Sequence, residues 1–344
     1  MKDGLKTGRL FLGVVFLNTL LAFPILYLVY KHYSPVISLM DTNVFMNMVR
    51  DGNAAIEPPF HYRVVTAFLV RMMNFLPGYD ITIAFTSDPV VKKDYFHFVV
   101  LNFFTTVATS GLLFLYLRDK LRPAFCYLGS LLYLFSFYSV LVNIIPMSDA
   151  TCQLAIISCI LAMEKKKPVL FALVFLAGVF AKETLFFVLP AWVVLRSFSD
   201  RRKLAYLLAA LPAVAVYFAV TRLYPAESTE RYYQASYLSH NIFNAFNPSY
   251  YDRPMVFHVF LSQLPLLFCM LLFIWLKVFR KSGGLVLNPE LLIIPFLIWV
   301  GGTTGCGNNT GRLLFLAFPA IIHFEAMIVQ ALCLRWGFGG EAPA

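Results

Sequence analysis

Apolar residues run along this chain in long blocks, and polar residues are confined to the intervals between them. The blocks extend from Leu10 to Tyr30, Tyr95 to Leu117, Ala124 to Ile145, Ala150 to Met163, Val169 to Ala181, Thr184 to Leu195, Leu204 to Leu223, Val256 to Phe279, Leu291 to Gly305 and Leu313 to Leu332. A helix needs roughly 17 to 25 residues to cross about 30 Å of hydrocarbon, and only helices and closed barrels satisfy their own backbone there. The pattern predicts an all-α polytopic membrane protein with about ten membrane helices, some of them short. The first block is longer than a secretory leader's apolar region and no small-residue cleavage site follows it. It is expected to remain as a helix.

The interval of residues 31–94 is patterned too. In DTNVFMNMVRDG, the apolar residues Val44, Phe45, Met48 and Val49 fall on one helical face. In PFHYRVVTAFLVRMMNFLPG, Val64, Val65, Phe68, Leu69, Met72, Met73 and Leu76 repeat that spacing, Arg63 and Arg71 stand clear of it, and Pro77-Gly78 ends the run. Both stretches predict amphipathic helices lying in the membrane interface.

Composition agrees with this reading and excludes others. Of 344 residues, 60% are hydrophobic and only 13% charged, against about 45–50% apolar residues in soluble domains. The mean hydropathy is +0.72. The net charge of +10 comes largely from Lys and Arg in one set of short loops, such as Arg118, Lys120 and Arg122, Lys165 to Lys167, and Arg201 to Lys203. By the positive-inside rule those loops and both termini are cytoplasmic, and no nucleic-acid partner is needed to explain the charge. The opposite face then carries residues 31–94, 224–255 and 305–312, all within a single transmembrane domain spanning 1–344. The six cysteines suggest no disulfide framework.

Ionisable residues near the outer boundary are the candidates for chemistry. Asp41 opens the first amphipathic segment, where it also suits a helix N-cap. Lys182 and Glu183 stand side by side at the expected outer turn between two short helices; the alternatives to a site role are a self-paired turn or Glu183 capping the descending helix. Charges in such segments usually face a watery cavity or a partner. After Pro146, either Ser148 or Asp149 serves as an N-cap, or Asp149 is part of the same outer cluster. Arg312 follows the Gly- and Asn-rich GCGNNTG stretch; it can snorkel to headgroups or present a planar fork to a phosphate. A base beside a cationic clamp is the minimum apparatus for displacing a phosphate leaving group. The 224–255 loop, dense in Tyr, Asn and His, suits either a sugar or an aromatic belt.

In order along the chain, Asp41 after the first membrane helix, PPFHYRVV, AKETLFFVLP and NNTGRLLFLAFP resemble motifs of the GT-C class of integral-membrane glycosyltransferases, small bacterial members in particular. The resemblance implies a GT-C-like fold and transfer of a sugar from a polyprenyl-phosphate donor to a glycan, lipid or protein acceptor, with inversion. It makes Asp41 the catalytic base and Arg312, Lys182 and Arg63 the holders of the donor phosphate. Glu183, Asp149, His61 and Tyr62 become supporting or acceptor-side residues, with Glu183 orienting Lys182. Thr42 stands where many members carry a second acidic residue. A divalent metal therefore stays open, with Asp149 or Glu183 the ligands to join Asp41. The implied compartment is a bacterial inner membrane with the site facing the periplasm, where a lipid carrier supplies the sugar that cytoplasmic nucleotide sugars cannot. A transporter or flippase of lipid-linked glycan, and a noncatalytic membrane scaffold, are the competing readings.

Overall fold

The computed structural model describes residues 2–33, 40–51, 63–78, 89–223, 253–278, 285–303 and 313–336, with the side-chain surroundings of residues 2–7, 33, 40–43, 51, 141, 142, 144, 253–262 and 301–303 outside that description. Among the described residues 86% are helical and no strand occurs. The helices are α1 (Lys2–Tyr33), α2 (Met40–Asp51), α3 (Val64–Met72), α4 (Pro89–Arg118), α5 (Pro123–Leu134), α6 (Phe137–Ile144) and α7 (Asp149–Glu164). They continue with α8 (Pro168–Val179), α9 (Leu185–Leu195), α10 (Asp200–Leu223), α11 (Arg253–Val278), α12 (Ile293–Thr303) and α13 (Phe318–Arg335). Short 3-10 turns precede the last two.

Four described segments are long and apolar enough to cross a membrane: Gly8–His32, Pro89–Arg118, Asp200–Leu223 and Phe315–Arg335. Shorter apolar helices include Pro123–Leu134, Pro168–Val179 and Leu185–Leu195. The chain is a membrane protein by this measure, and its exposed surface fits. Leu12, Phe16, Leu20 and Phe23 on α1, and Leu204, Leu208, Leu211 and Phe218 on α10, all face outward.

Within the described residues every apolar block of the sequence is helical, but one is divided. The expected Ala124 to Ile145 segment is two helices, separated at Phe135-Ser136. There the Ser136 N–H and Oγ both donate to Tyr133 O, closing a tight turn in place of the next α-helical bond. The two amphipathic segments of the first long interval are α2 and α3.

The chain divides into two compact units, Met1–Leu112 with Phe137–Gln234, and Leu113–Ser136 with Ala235–Ala344. In the first unit, Phe45, Met48 and Val49 of α2 share a buried cluster with Val70 of α3, Tyr95 and Phe98 of α4, and Ile145 and Met147 before α7. The α7–α8 turn is a full Schellman closure: Lys167 N–H donates to Ala162 O at 2.9 Å and Lys166 N–H to Met163 O at 3.3 Å. Lys166 sits at φ 55° to make it. Arg202 and Tyr206 of α10 donate to Met163 O as well, and Arg196 Nη2 bonds Glu164 at 2.5 Å.

In the second unit, α5 packs along α13. Arg122 N–H donates to Gln330 at 2.9 Å, Gly129 lies against Ile322 and Ala326, and Tyr133 stacks on Phe315. Tyr116 OH donates to Glu290 at 3.0 Å, and Asn288 of the same turn meets His323 Nδ1 at 3.3 Å.

Candidate functional site

Three segments distant in sequence meet in the first unit where α3 and α7 begin and α8 ends. Val65 N–H donates to Phe180 O at 3.2 Å, fixing the first turn of α3 on the end of α8. Thr66 Oγ1 donates to Thr151 Oγ1 at 3.2 Å, tying the same turn to α7. Gly178 makes the approach of α7, α8 and α9 possible: a Cβ there would lie 2.5 Å from Leu185 Cδ2 and 2.8 Å from Ala155 Cβ. The turn that follows, from Phe180 to Thr184, carries Lys182 and Glu183 inward.

The charges pair across segments. Arg63 presents its fork to Glu183, Nε to Oε2 at 2.7 Å and Nη2 to Oε1 at 2.5 Å. Lys182 Nζ donates to Asp149 Oδ1 at 2.6 Å. All four are enclosed, with side-chain exposures of 10% and 13% for the first pair and 10% and 3% for the second. Two cations face two carboxylates, so the cluster is formally neutral. Burial alone would raise the Glu183 carboxyl, but the charge and hydrogen bonds of Arg63, with Lys182 nearby, hold it below the ordinary carboxylate value.

The partner of Lys182 is thus Asp149, 33 residues away, and not its neighbour Glu183 as expected from the sequence. Asp149 does not cap α7 either. Ser148 occupies the N-cap position without a side-chain cap bond, and Asp149 is the first helical residue. Glu183 likewise leaves the start of α9 to Thr184.

Of the other expected site residues, His61, Tyr62 and Arg312 lie outside the described residues, as does most of the 224–255 loop. Asp41 is in the first turn of α2, its side chain outside the described set. Its helix is nonetheless fastened to the charge cluster through α3. Arg71, at the far end of α3 from Arg63, donates from Nε to Val49 O at 2.7 Å, a cation on the C-terminal carbonyls of α2. The sequence signal for that role was Arg71 standing clear of the apolar face. Thr66, Thr151 and Asn102, which also bind segments together here, carried no signal, since single polar residues in apolar runs do not announce their partners.

Among the described residues no three His, Cys, Asp or Glu side chains converge as a metal set. Asp149 and Glu183 are each already bonded to a cation, so a divalent ion would have to draw further oxygens from elsewhere. The arrangement suits holding and aiming positive charge: a guanidinium and an ammonium fixed in enclosed surroundings are strong ligands for phosphate oxygens. Protein-family models, curated proteins and solved structures were each compared with the chain, and none matches it.

Proposed function

We propose that the chain is an integral-membrane glycosyltransferase that moves a sugar from a polyprenyl-phosphate donor to an acceptor hydroxyl. In this reading it crosses the membrane about ten times in a GT-C-like arrangement. Both termini lie in the cytoplasm, and the site faces the periplasm across a bacterial inner membrane. The observation that carries the proposal is the gathering of Arg63, Asp149, Lys182 and Glu183 into one enclosed cluster. These are the residues the motif resemblance nominates around the donor phosphate, and α2, which holds Asp41, is bonded to the helix that Arg63 begins.

Asp41 takes the proton of the acceptor hydroxyl as that oxygen attacks the anomeric carbon. The bond from that carbon to the phosphate oxygen breaks, and polyprenyl phosphate leaves as an anion. Arg63, Lys182 and Arg312 stabilise the charge that develops there, which removes the need for a general acid. Asp149 and Glu183 hold the two cations charged and aimed until phosphate oxygens share them. His61 and Tyr62, beside Arg63 in sequence, belong to the acceptor side.

One observation favours a second reading. Each cation already has a carboxylate within 2.7 Å, which is what a purely structural fastening in a scaffold subunit would need. The separating experiment incubates purified protein with radiolabelled polyprenyl-phosphate sugars and a panel of acceptors. Wild type is expected to transfer label, and Asp41→Asn to lose about 10²- to 10⁴-fold in rate at unchanged abundance. Near-normal transfer by Asp41→Asn removes the catalytic assignment, and no transfer by wild type with any donor leaves the scaffold.

A further inference from the structure

The helices α6 and α7 are separated at residues 145–148, where Pro146 cannot donate to a continuing helix. The carbonyl of Ile145 freed by the break is taken by Asn102 Nδ2 of α4 at 2.9 Å. Three more polar atoms on these segments are buried and have no hydrogen-bond partner among the described residues: Asn143 Oδ1, Ser148 Oγ and Thr106 Oγ1. Their residues are 5%, 1% and 0% exposed. Asn143 and Ser148 flank Ile145 along the chain, and Thr106 follows Asn102 by one helical turn on the same face of α4. Buried polar groups are normally paired, so three such atoms on adjoining segments call for a partner from outside the chain.

The chemistry of the three narrows the partner. An amide oxygen only accepts, the two hydroxyls both donate and accept, and none is charged. A phosphate calls for cations, a metal ion for several oxygen ligands including carboxylates, and a hydrocarbon tail would leave all three unpaired. Hydroxyl groups satisfy them all. The break also shares a buried cluster with α2, the helix that opens beside Asp41, and leads directly into Asp149.

We infer that the α6–α7 break, with Thr106 of α4, binds the sugar hydroxyls of a glycan acceptor. The inference rests on the glycosyltransferase reading for its biological substrate, while the polyol site rests on the unpartnered atoms themselves.

The test titrates the full chain, held in phosphatidylcholine nanodiscs, with decyl β-D-glucopyranoside, using decanol at matched membrane loading as the control and the unfolding midpoint as readout. The glucoside should raise the midpoint saturably and decanol should not. Apparent affinity should fall roughly five-fold in each of Thr106→Val and Asn143→Leu, the effect of one lost hydrogen bond, and persist in Thr106→Ser. If either replacement fails to fold, Ser148→Ala supplies the same comparison. Equal effects of glucoside and decanol, or unchanged affinity in the variants, would mean that ordered water alone serves these atoms and would overturn the site.

Transfer is assayed in parallel. A wild type that binds glucoside through Thr106 but moves no sugar retains the polyol site and sinks the enzyme reading. A chain that transfers with the same acceptor KM in Thr106→Val as in wild type keeps the enzyme and sinks the site.

Discussion

Arg63 and Glu183 form the tightest contact of the candidate site, a two-point fork between residues 120 positions apart. A buried ion pair balances a large desolvation cost against its attraction, so removing one partner is far worse than removing both. Arg63→Leu is expected to cost about 3 kcal/mol of stability, because Glu183 is left enclosed without its cation; Arg63→Leu with Glu183→Leu should recover most of that loss. Denaturant or thermal melts of the purified variants decide it, and a double variant less stable than the single one contradicts the account.

The same carboxyl sets a pH dependence. Its folded value lies below its ordinary one, so the stability it contributes is present above the ordinary carboxylate range and is lost as pH falls through the lowered value. Wild type should therefore exceed Glu183→Gln in melting temperature from pH 7 down to about 5, and the gap should close as the pH falls below about 4. A gap that stays constant to pH 3 would show that Glu183 does not titrate as an ion-paired acid.

At the scale of elements, ends and interruptions carry the interest. The α7 C-terminus closes through Lys166 in the left-handed region, a conformation that costs an ordinary L-residue about 1–2 kcal/mol. Lys166→Gly relieves that cost while keeping both closing bonds, at the price of a more flexible unfolded chain. A net gain of up to about 1 kcal/mol is expected, read as a raised melting temperature with unchanged activity. A loss instead would mean that the Lys166 side chain outweighs its backbone strain.

The division of the Ala124 to Ile145 block into α5 and α6 belongs to the same scale. Neither Gly nor Pro marks Phe135-Ser136, and an apolar run with aromatic residues throughout has no periodicity to interrupt, so the break was invisible in the pattern. The α6–α7 break, by contrast, was announced by Pro146.

For the whole molecule, the proposed orientation makes a direct prediction. A cysteine placed at Arg201 should react with a membrane-impermeant maleimide only when the cytoplasmic side is opened, and one placed at Ser228 should react in intact cells. Labelling of both from one side would break the ten-span arrangement. The background for both is the Cys306→Ser, Cys333→Ser chain, since Cys306 falls in the outer 305–312 interval and Cys333 is partly exposed, whereas Cys126, Cys152, Cys159 and Cys269 are buried.

The amino-acid sequence by itself determined the helical membrane class, the place of nearly every helix, and which ionisable residues are too costly to be incidental. Those properties follow from hydropathy and local backbone preference, which are read within a few turns of chain. Only the tertiary structure decided how the charges pair. Lys182 has Glu183 beside it in sequence, yet consecutive side chains on a tight turn point apart, and packing of α7 against α8 at Gly178 brings Asp149 to the ammonium instead. Glu183 is thereby left for Arg63, carried in by a helix from another part of the chain. Pairing in an enclosed site depends on direction and distance to within an ångström, and no spacing along the sequence encodes that.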